Sequence, residues 1–353
     1  MREGVEAINR SRIEWCNYTW NPITGCRHNC PYCYARRMTA RFSGDVRLNL
    51  MAKKDYSLVP AADRSPGIYV LDEPMLNETG SPLVYPFGFE PTYHRYRLNT
   101  LDKLKMGNNI FVGAMADVFG EWVPDEWIQE IMRECVKRPQ HNYLFLTKNP
   151  ERYLEAESAG ILPHSDSIWY GATVTKVQQM ERTAEAFSRL PLEMHTFFSV
   201  EPILEDLADS SYWQEAVLET EWIILGAQTG WSKNKVIPRL EWLQKIITDA
   251  GRKKIPVFMK DSLIPIVGRE NMQQEFPQEL KRKVVSEKME KKLYGTCARC
   301  KVHMRKNEMI TLLARSKRGE TPGHCGFMCG KCFKELCGNL GLNVPELEGL
   351  KDD

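Results

Sequence analysis

Short, nearly continuous apolar runs alternate along this chain with segments whose apolar residues recur every three or four positions. The runs are Arg12–Thr19, Asn109–Ala114, Asn142–Thr147, Ile168–Thr173, His195–Val200, Trp222–Ala227 and Pro256–Met259. Strands of a parallel sheet covered on both faces read this way, because neither face alternates with water. The helical segments are Pro31–Phe42, Pro124–Lys137, Pro150–Ser158, Val177–Leu190, Pro202–Asp209 and Leu240–Ala250. In the second, Trp127, Ile128, Ile131, Met132 and Cys135 share one helical face. Proline recurs at or near the first turn, where its missing N–H costs nothing. Six or seven strand–helix units predict an α/β fold, a partial (β/α)6-7 TIM-like barrel of parallel strands.

The rhythm breaks between Asp45 and Asn108, a Pro- and Gly-rich stretch that reads as an insertion forming a lid or a substrate wall. The predicted organisation is a barrel over residues 1–264, a charged linker over 265–292 and a small Cys-rich metal-binding module over 293–353. The length of 353 residues suits two domains.

Composition narrows the class. With 42% hydrophobic and 27% charged residues, the chain is neither disordered, collagenous nor coiled coil as a whole. No apolar stretch approaches the roughly 20 residues that cross a bilayer, so no membrane association is expected. Met1–Arg12 is charged and lacks the apolar core of a secretory signal. A cytoplasmic location follows as the expectation. Thiols stay reduced there, so the 11 cysteines read as metal ligands before disulfides. The net charge of +2 conceals a division. Residues 281–318 carry 13 Lys/Arg against 3 Asp/Glu, a net of +10, which leaves −8 on the remainder.

Two cysteine clusters carry the candidate chemistry. Cys26, Cys30 and Cys33 follow the first strand with the spacing C-x3-C-x2-C and run into the first helix. Three thiolates on one loop can hold three corners of a cubane and leave one position open, whereas a structural zinc takes four protein ligands. With His28 or Cys16 as a fourth ligand, the same triplet reads as a zinc site. Cys16 and Cys135 otherwise read as small buried hydrophobes. Near the other end, Cys297/Cys300 and Cys329/Cys332 form two C-x2-C knuckles, a zinc-ribbon-like signature. Cys325, Cys329, Cys332 and Cys337 offer an alternative, an auxiliary iron–sulfur site. The basic run around this module suits phosphate contact, or is simply a solvated face.

In parallel barrels the carboxyl ends of strands carry the site. The polar residues there are Asp117, Thr147 with Lys148, Thr173 with Thr175, Ser199 with Glu201, Gln228 with Thr229, and Lys260 with Asp261. Each also reads as a helix N-cap or turn former.

The cysteine triplet, with Tyr32 before its last member, resembles the signature of the radical S-adenosylmethionine (SAM) superfamily. The phrases TWNPITGC, CPYCYARRM, YPFGFEPTYH, FVGAMADVFGEWVP, FLTKNPERY, YGATV, FSVEPIL and WIILGAQTG resemble an uncharacterised phage- and bacteria-associated three-Cys-motif family described as radical-SAM-like. The resemblance implies a [4Fe–4S] cluster on Cys26, Cys30 and Cys33, with S-adenosyl-L-methionine on the fourth iron. It also implies reductive formation of a 5′-deoxyadenosyl radical and a reductant protein as partner. Tyr32 would lie near the adenine. Asp117, Lys148, Thr173, Ser199, Glu201 and Gln228 would hold the polar parts of the cofactor, with Lys148 suited to its carboxylate and Glu201 to its amine or ribose. The segment Ala114–Asp117 departs from the Gly-Gly-Glu-type amine site of that superfamily.

The expected function is a radical SAM enzyme acting on a nucleic-acid base, with nucleic acid held by the basic C-terminal region and Zn2+ in the C-terminal module. Two alternatives stay open. One is a radical SAM enzyme acting on a peptide or small metabolite. The other is a non-catalytic, metal-stabilised nucleic-acid-binding or interaction protein.

Overall fold

The computed structural model describes residues 8–104, 107–230, 235–281, 294–299, 303–305, 309–314 and 323–339. The chain divides into two compact units, Met1–Val284 and Val285–Asp353.

The first unit is mixed α/β, built on an eight-stranded, largely parallel sheet. Its opening strands β1 (Ile8–Arg10) and β2 (Tyr18–Trp20) form an antiparallel hairpin with Ile8 opposite Trp20. A single strand over Arg12–Thr19 is therefore not what forms. Polar side chains divert the backbone instead: Ser11 Oγ accepts from Ile13 N–H at 2.9 Å, and Asn17 Oδ1 accepts from Asn109 N–H at 2.8 Å. The freed turn places Trp15 and Cys16 in the interior.

After β3 (Ile23–Thr24), α1 (Tyr34–Phe42), α2 (Val46–Met51), β4 (Ser57–Val59), β5 (Ile68–Leu71) and β6 (Thr92–His94), the main sheet resumes. It runs through β7 (Asn109–Val112), α3 (Asp125–Val136), β8 (Asn142–Thr147), α4 (Glu151–Ser158) and β9 (Ile168–Thr173). It then continues through α5 (Val177–Phe187), β10 (His195–Val200), α6 (Trp213–Ala216), β11 (Ile223–Leu225), α7 (Leu240–Lys253) and β12 (Val257–Met259). The strand order is β1-β2-β7-β8-β9-β10-β11-β12, parallel from β2 onward. Order follows the chain, without the reversal that marks doubly wound sheets. The sheet stays open: among the described residues no ladder joins β12 back to the hairpin. Of the expected partial barrel, the structure shows the largely parallel strand–helix array without closure.

Expected helix Pro202–Asp209 is reduced to a single 3-10 turn at Leu207–Asp209. Its backbone donors are spent elsewhere, Ile203 N–H on Gly226 O at 3.0 Å and Leu204 N–H on Thr175 O at 3.3 Å. The stretch 45–108 holds more than loop. Asp45 caps α2 through Arg47 and Leu48 N–H, and the strands form a second sheet, β3-β6-β5-β4, which ties the insertion to the chain just before Cys26. Of the expected linker 265–292, the described part to Lys281 packs under the sheet. Phe276 and Leu280 join the interior cluster, and Asn142 Nδ2 donates to Glu279 O at 3.3 Å.

Two apolar clusters sandwich the main sheet. Tyr143, Phe145, Tyr170, Phe198 and Leu225 face the helices. Their alternates, Phe111, Leu144, Trp169, Phe197, Ile224 and Phe258, fill the inner side. This interior is tight at Gly171, where a Cβ would stand 2.2 Å from the Phe197 ring. Gly171→Ala is expected to cost about 1–3 kcal/mol by overpacking. Urea unfolding would measure it, and an unchanged midpoint would contradict this packing.

In the second unit, Tyr294–Thr296 pairs antiparallel with His303–Arg305, and Met309–Ala314 with Gly323–Cys329. A helix, Gly330–Asn339, follows. Cys297, Met328 and Cys332 share a buried cluster flanked by Phe333 and Leu336. Of the expected zinc ligands, Cys300 lies outside the described residues, and only the backbone of Cys325 and Cys329 is described. Among the described residues no helix is long and apolar enough to cross a membrane.

Candidate functional site

The two-residue period of a strand carries the inner face forward to the site. Leu144 is followed on that face by Leu146 and Lys148, Trp169 by Gly171 and Thr173, and Phe197 by Ser199 and Glu201. Ile224 likewise leads to Gly226 and Gln228, and Phe258 to Lys260. Aromatic and aliphatic side chains plug the floor, and polar residues appear where the strands end. A cleft of about 370 Å³ opens there. It is lined by Cys26, Cys30, Cys33 and Tyr32 from the loop after β3, and by Asp117, Lys148, Thr173, Ser199, Glu201 and Gln228. These ten come from six separate segments; of the other strand-end residues expected at the rim, Thr147, Thr229 and Lys260 also line the cleft, whereas Thr175 and Asp261 do not.

Backbone hydrogen bonds hold the cysteine loop. Gly25 N–H donates to Met115 O at 2.9 Å, Cys26 N–H to Phe89 O at 3.2 Å, and Asn21 Oδ1 accepts from Met115 N–H at 3.0 Å. Asn29 takes the left-handed conformation (φ 53°) that its short polar side chain tolerates. Cys33 is the N-cap of α1, its Sγ accepting from Arg36 N–H at 3.4 Å. The three thiols are unpaired. Burial pushes Cys26 up to about 12, and the neighbouring Asp117 carboxylate adds to the rise. Burial also raises Cys30, with the Lys148 ammonium pulling the other way. Both are thiols at neutral pH, so binding of a metal group would release protons.

The suggested fourth ligands are engaged elsewhere. His28 Nε2 lies 2.7 Å from Asp117 Oδ2. Cys16 Sγ donates to Ser11 Oγ at 3.2 Å, and burial raises its thiol to about 12. Among the described residues no three His, Cys, Asp or Glu side chains are gathered tightly enough to hold one ion. Cluster thiolates sit on different irons and need not converge as the ligands of a single ion do. Three thiols on one loop are the donor type such a cluster would take.

Asp117 braces this loop. Its Oδ2 also accepts from Thr147 Oγ1 and Lys148 N–H, both at 3.0 Å, and its Oδ1 from Phe119 N–H at 3.0 Å. Burial alone would raise its carboxyl. The His28 bond and charge, with the Lys148 and Thr147 donors, hold it below the usual carboxylate range instead. Both oxygens accept hydrogen bonds from within the protein.

Across the cleft, Lys260 Nζ pairs with Glu201 and stands 3.8 Å from Glu14 Oε2. A Cβ at Gly226 would crowd Glu201 Cγ at 3.1 Å, so this glycine makes room for the pair. Lys148 Nζ lies 5.7 Å from the centre of the Tyr32 ring. Burial, with the negative charge that Cys30 can carry, pushes the Tyr32 hydroxyl up to about 12. Trp15 also lines the cleft, and its buried indole N–H has no hydrogen-bond partner among the described residues.

Sequence reasoning passed over Glu14, Trp15 and the bracing role of His28. Glu14 and Trp15 sit in a hairpin turn that reads as strand. His28 meets Asp117 across 89 positions, and no local pattern signals that contact.

An α/β chain with a cysteine-lined cleft at the ends of its parallel strands defines the class. The chain matches over residues 10–296 the family described as "Protein of unknown function (DUF5131)", and it belongs to that family. That description names no phage association. No curated protein matches the sequence. Among solved structures, a spore photoproduct lyase mutant with bound AdoMet and dinucleoside spore photoproduct matches at 10% identity and a TM-score of 0.35. It covers 95% of this chain and 74% of its own. A second lyase mutant, with dinucleoside spore photoproduct, matches at 11% identity and a TM-score of 0.38, with 95% and 74% covered. Overlap this weak supports no functional reading.

Proposed function

We propose that this protein is a radical SAM enzyme acting on nucleic acid. The observation that carries the chemistry is the convergence of Cys26, Cys30 and Cys33, from one loop, with polar strand ends around a single cleft. Cys26, Cys30 and Cys33 would hold a [4Fe–4S] cluster by three irons and leave the fourth for the sulfonium cofactor. When bound, that pair supplies one-electron cleavage of a carbon–sulfur bond and hence hydrogen abstraction from substrate.

The remaining residues orient and exclude water. Lys148 offers a cation to a carboxylate at the lip. Glu201, Ser199, Thr173 and Gln228 present acceptors and donors for an amine and for hydroxyls. Tyr32 offers a ring face beside the loop. Trp15, Phe111 and Leu146 close the floor and keep water from a reactive intermediate. Asp117 and His28 keep the loop in place. A reductant protein supplies the electron.

The nucleic-acid reading draws on the net +10 of residues 281–318. It also draws on the knuckles Cys297/Cys300 and Cys329/Cys332, proposed as a structural Zn2+ site. Burial of Cys297 and Cys332 in one cluster is in keeping with that site.

Anaerobic reconstitution with iron and sulfide should give a brown protein that forms 5′-deoxyadenosine from S-adenosylmethionine under reduction. Cys30→Ala should drop this to background. A colourless wild-type protein that binds only zinc would overturn the proposal.

A further inference from the structure

Helix α1 buries only Ala35 and Thr39, four residues apart. On another side, Tyr34, Arg37, Met38, Arg41 and Phe42 recur at i, i+3, i+4, i+7 and i+8, the spacing of a helix face that normally packs. All five are exposed, Met38 by 40% and Phe42 by 51%. On helix α2, Leu48 and Met51 are also exposed, Met51 by 77%. Large apolar side chains exposed together on one helix face mark an interaction site.

Charge identifies the partner. Residues 34–54 carry 6 Lys/Arg against 1 Asp, a net of +5. With +10 on residues 281–318 and +2 on the whole chain, everything else sums to −13. A polyanion approaching an otherwise acidic first unit is steered to this helix pair. The ion pairs among the described residues leave Arg37 and Arg41 without a carboxylate.

Position ties the patch to the cleft. Tyr34 and Phe89 both line it, and the Arg36 guanidinium stacks 4.7 Å from the Phe89 ring centre. Arg37 lies against Gly230, beside Gln228 and Thr229 of the cleft wall.

A membrane-binding basic helix separates its cations from its apolar face. Here Arg37 and Arg41 share one face with Met38 and Phe42. Guanidinium groups interleaved with rings suit a strand whose phosphates and bases alternate. We infer that α1 and α2 form the platform for an unpaired stretch of nucleic acid at the lip of the cleft, Arg37 and Arg41 holding phosphates and Phe42 stacking on a base. This deepens the nucleic-acid reading and rests on it for the reaction, not for the binding.

The test uses the full chain without cofactor and short fluorescein-labelled oligodeoxythymidine and oligouridine, read by anisotropy across a salt series. Removing two phosphate contacts in Arg37→Ala/Arg41→Ala should flatten the log–log salt slope by about 1.4. It should also weaken binding about tenfold at low salt. Phe42→Ala should weaken binding by about 5- to 160-fold and leave the slope unchanged. The DNA and RNA arms tell which polynucleotide is preferred. Wild-type affinity and slope in all variants, or capture by phosphatidylserine vesicles in place of oligonucleotide, would overturn the inference. Failure to cleave S-adenosylmethionine would sink the enzymatic reading and leave this result standing.

Discussion

Asp117→Ala is expected to cost about 3–5 kcal/mol of stability and to leave the reconstituted protein poor in iron. The carboxylate is nearly inaccessible and accepts from His28, Thr147, Phe119 and Lys148. Its removal orphans four donors, and an unsatisfied buried donor costs about 1–3 kcal/mol. Water entering the gap offsets part of that sum. Asp117→Asn should rescue little, because its amide group would face donors. The acid limb provides a second readout. The carboxyl titrates lower in the folded chain than in the unfolded chain, so its stabilisation is whole above the usual carboxylate value of about 4. It is lost as the pH falls through the depressed folded value. Wild-type stability should therefore drop more steeply in acid than that of Asp117→Ala. Urea titrations from neutral pH into acid, with iron counted per chain, measure both effects. A variant as stable as wild type at neutral pH would remove Asp117 from the account.

The part of the fold that sequence conveys is the part buried on both sides. β8, β9 and β10 are apolar at nearly every position and appear at Asn142–Thr147, Ile168–Thr173 and His195–Val200 as expected. The insertion's sheet gave no such signal, because its strands are short and partly polar. β6 contains a buried histidine, His94, whose Nε2 lies 2.8 Å from Thr24 Oγ1 and whose protonation burial disfavours. A polar residue satisfied by a distant partner looks like a surface residue until the partner is known. The site was legible for the opposite reason. Parallel strands with apolar bodies must end somewhere, and the first polar residues past each end project into one rim. What those residues touch was not legible. Asp117 reads from the sequence only as a polar strand end, and nothing local shows that it accepts from His28, Thr147, Lys148 and Phe119.

Gly25→Ala should be more damaging than its size suggests, with a loss of about 3–4 kcal/mol. For a unit of this size that lowers the melting temperature by roughly 10 °C. Two causes add. Gly25 has φ +83°, where a side chain costs about 1–2 kcal/mol. Its Cβ would also stand 2.3 Å from Glu90 O and 2.7 Å from Phe89 O, both backbone atoms that cannot rotate away. Relief requires the segment before Cys26 to part from the insertion, which breaks the Cys26 N–H bond to Phe89 O. Gly80 separates the two causes. Its φ is +75°, and a Cβ there meets nothing within 4 Å. Gly80→Ala should lose only the conformational part, about 1–2 kcal/mol, and keep full iron loading. Thermal unfolding and iron content of the two variants make the comparison. Equal losses would mean that the cysteine loop does not depend on its close approach to the insertion. A deficit confined to Gly25→Ala would show that the insertion sets the position of Cys26, and with it the geometry of any group the three thiols hold.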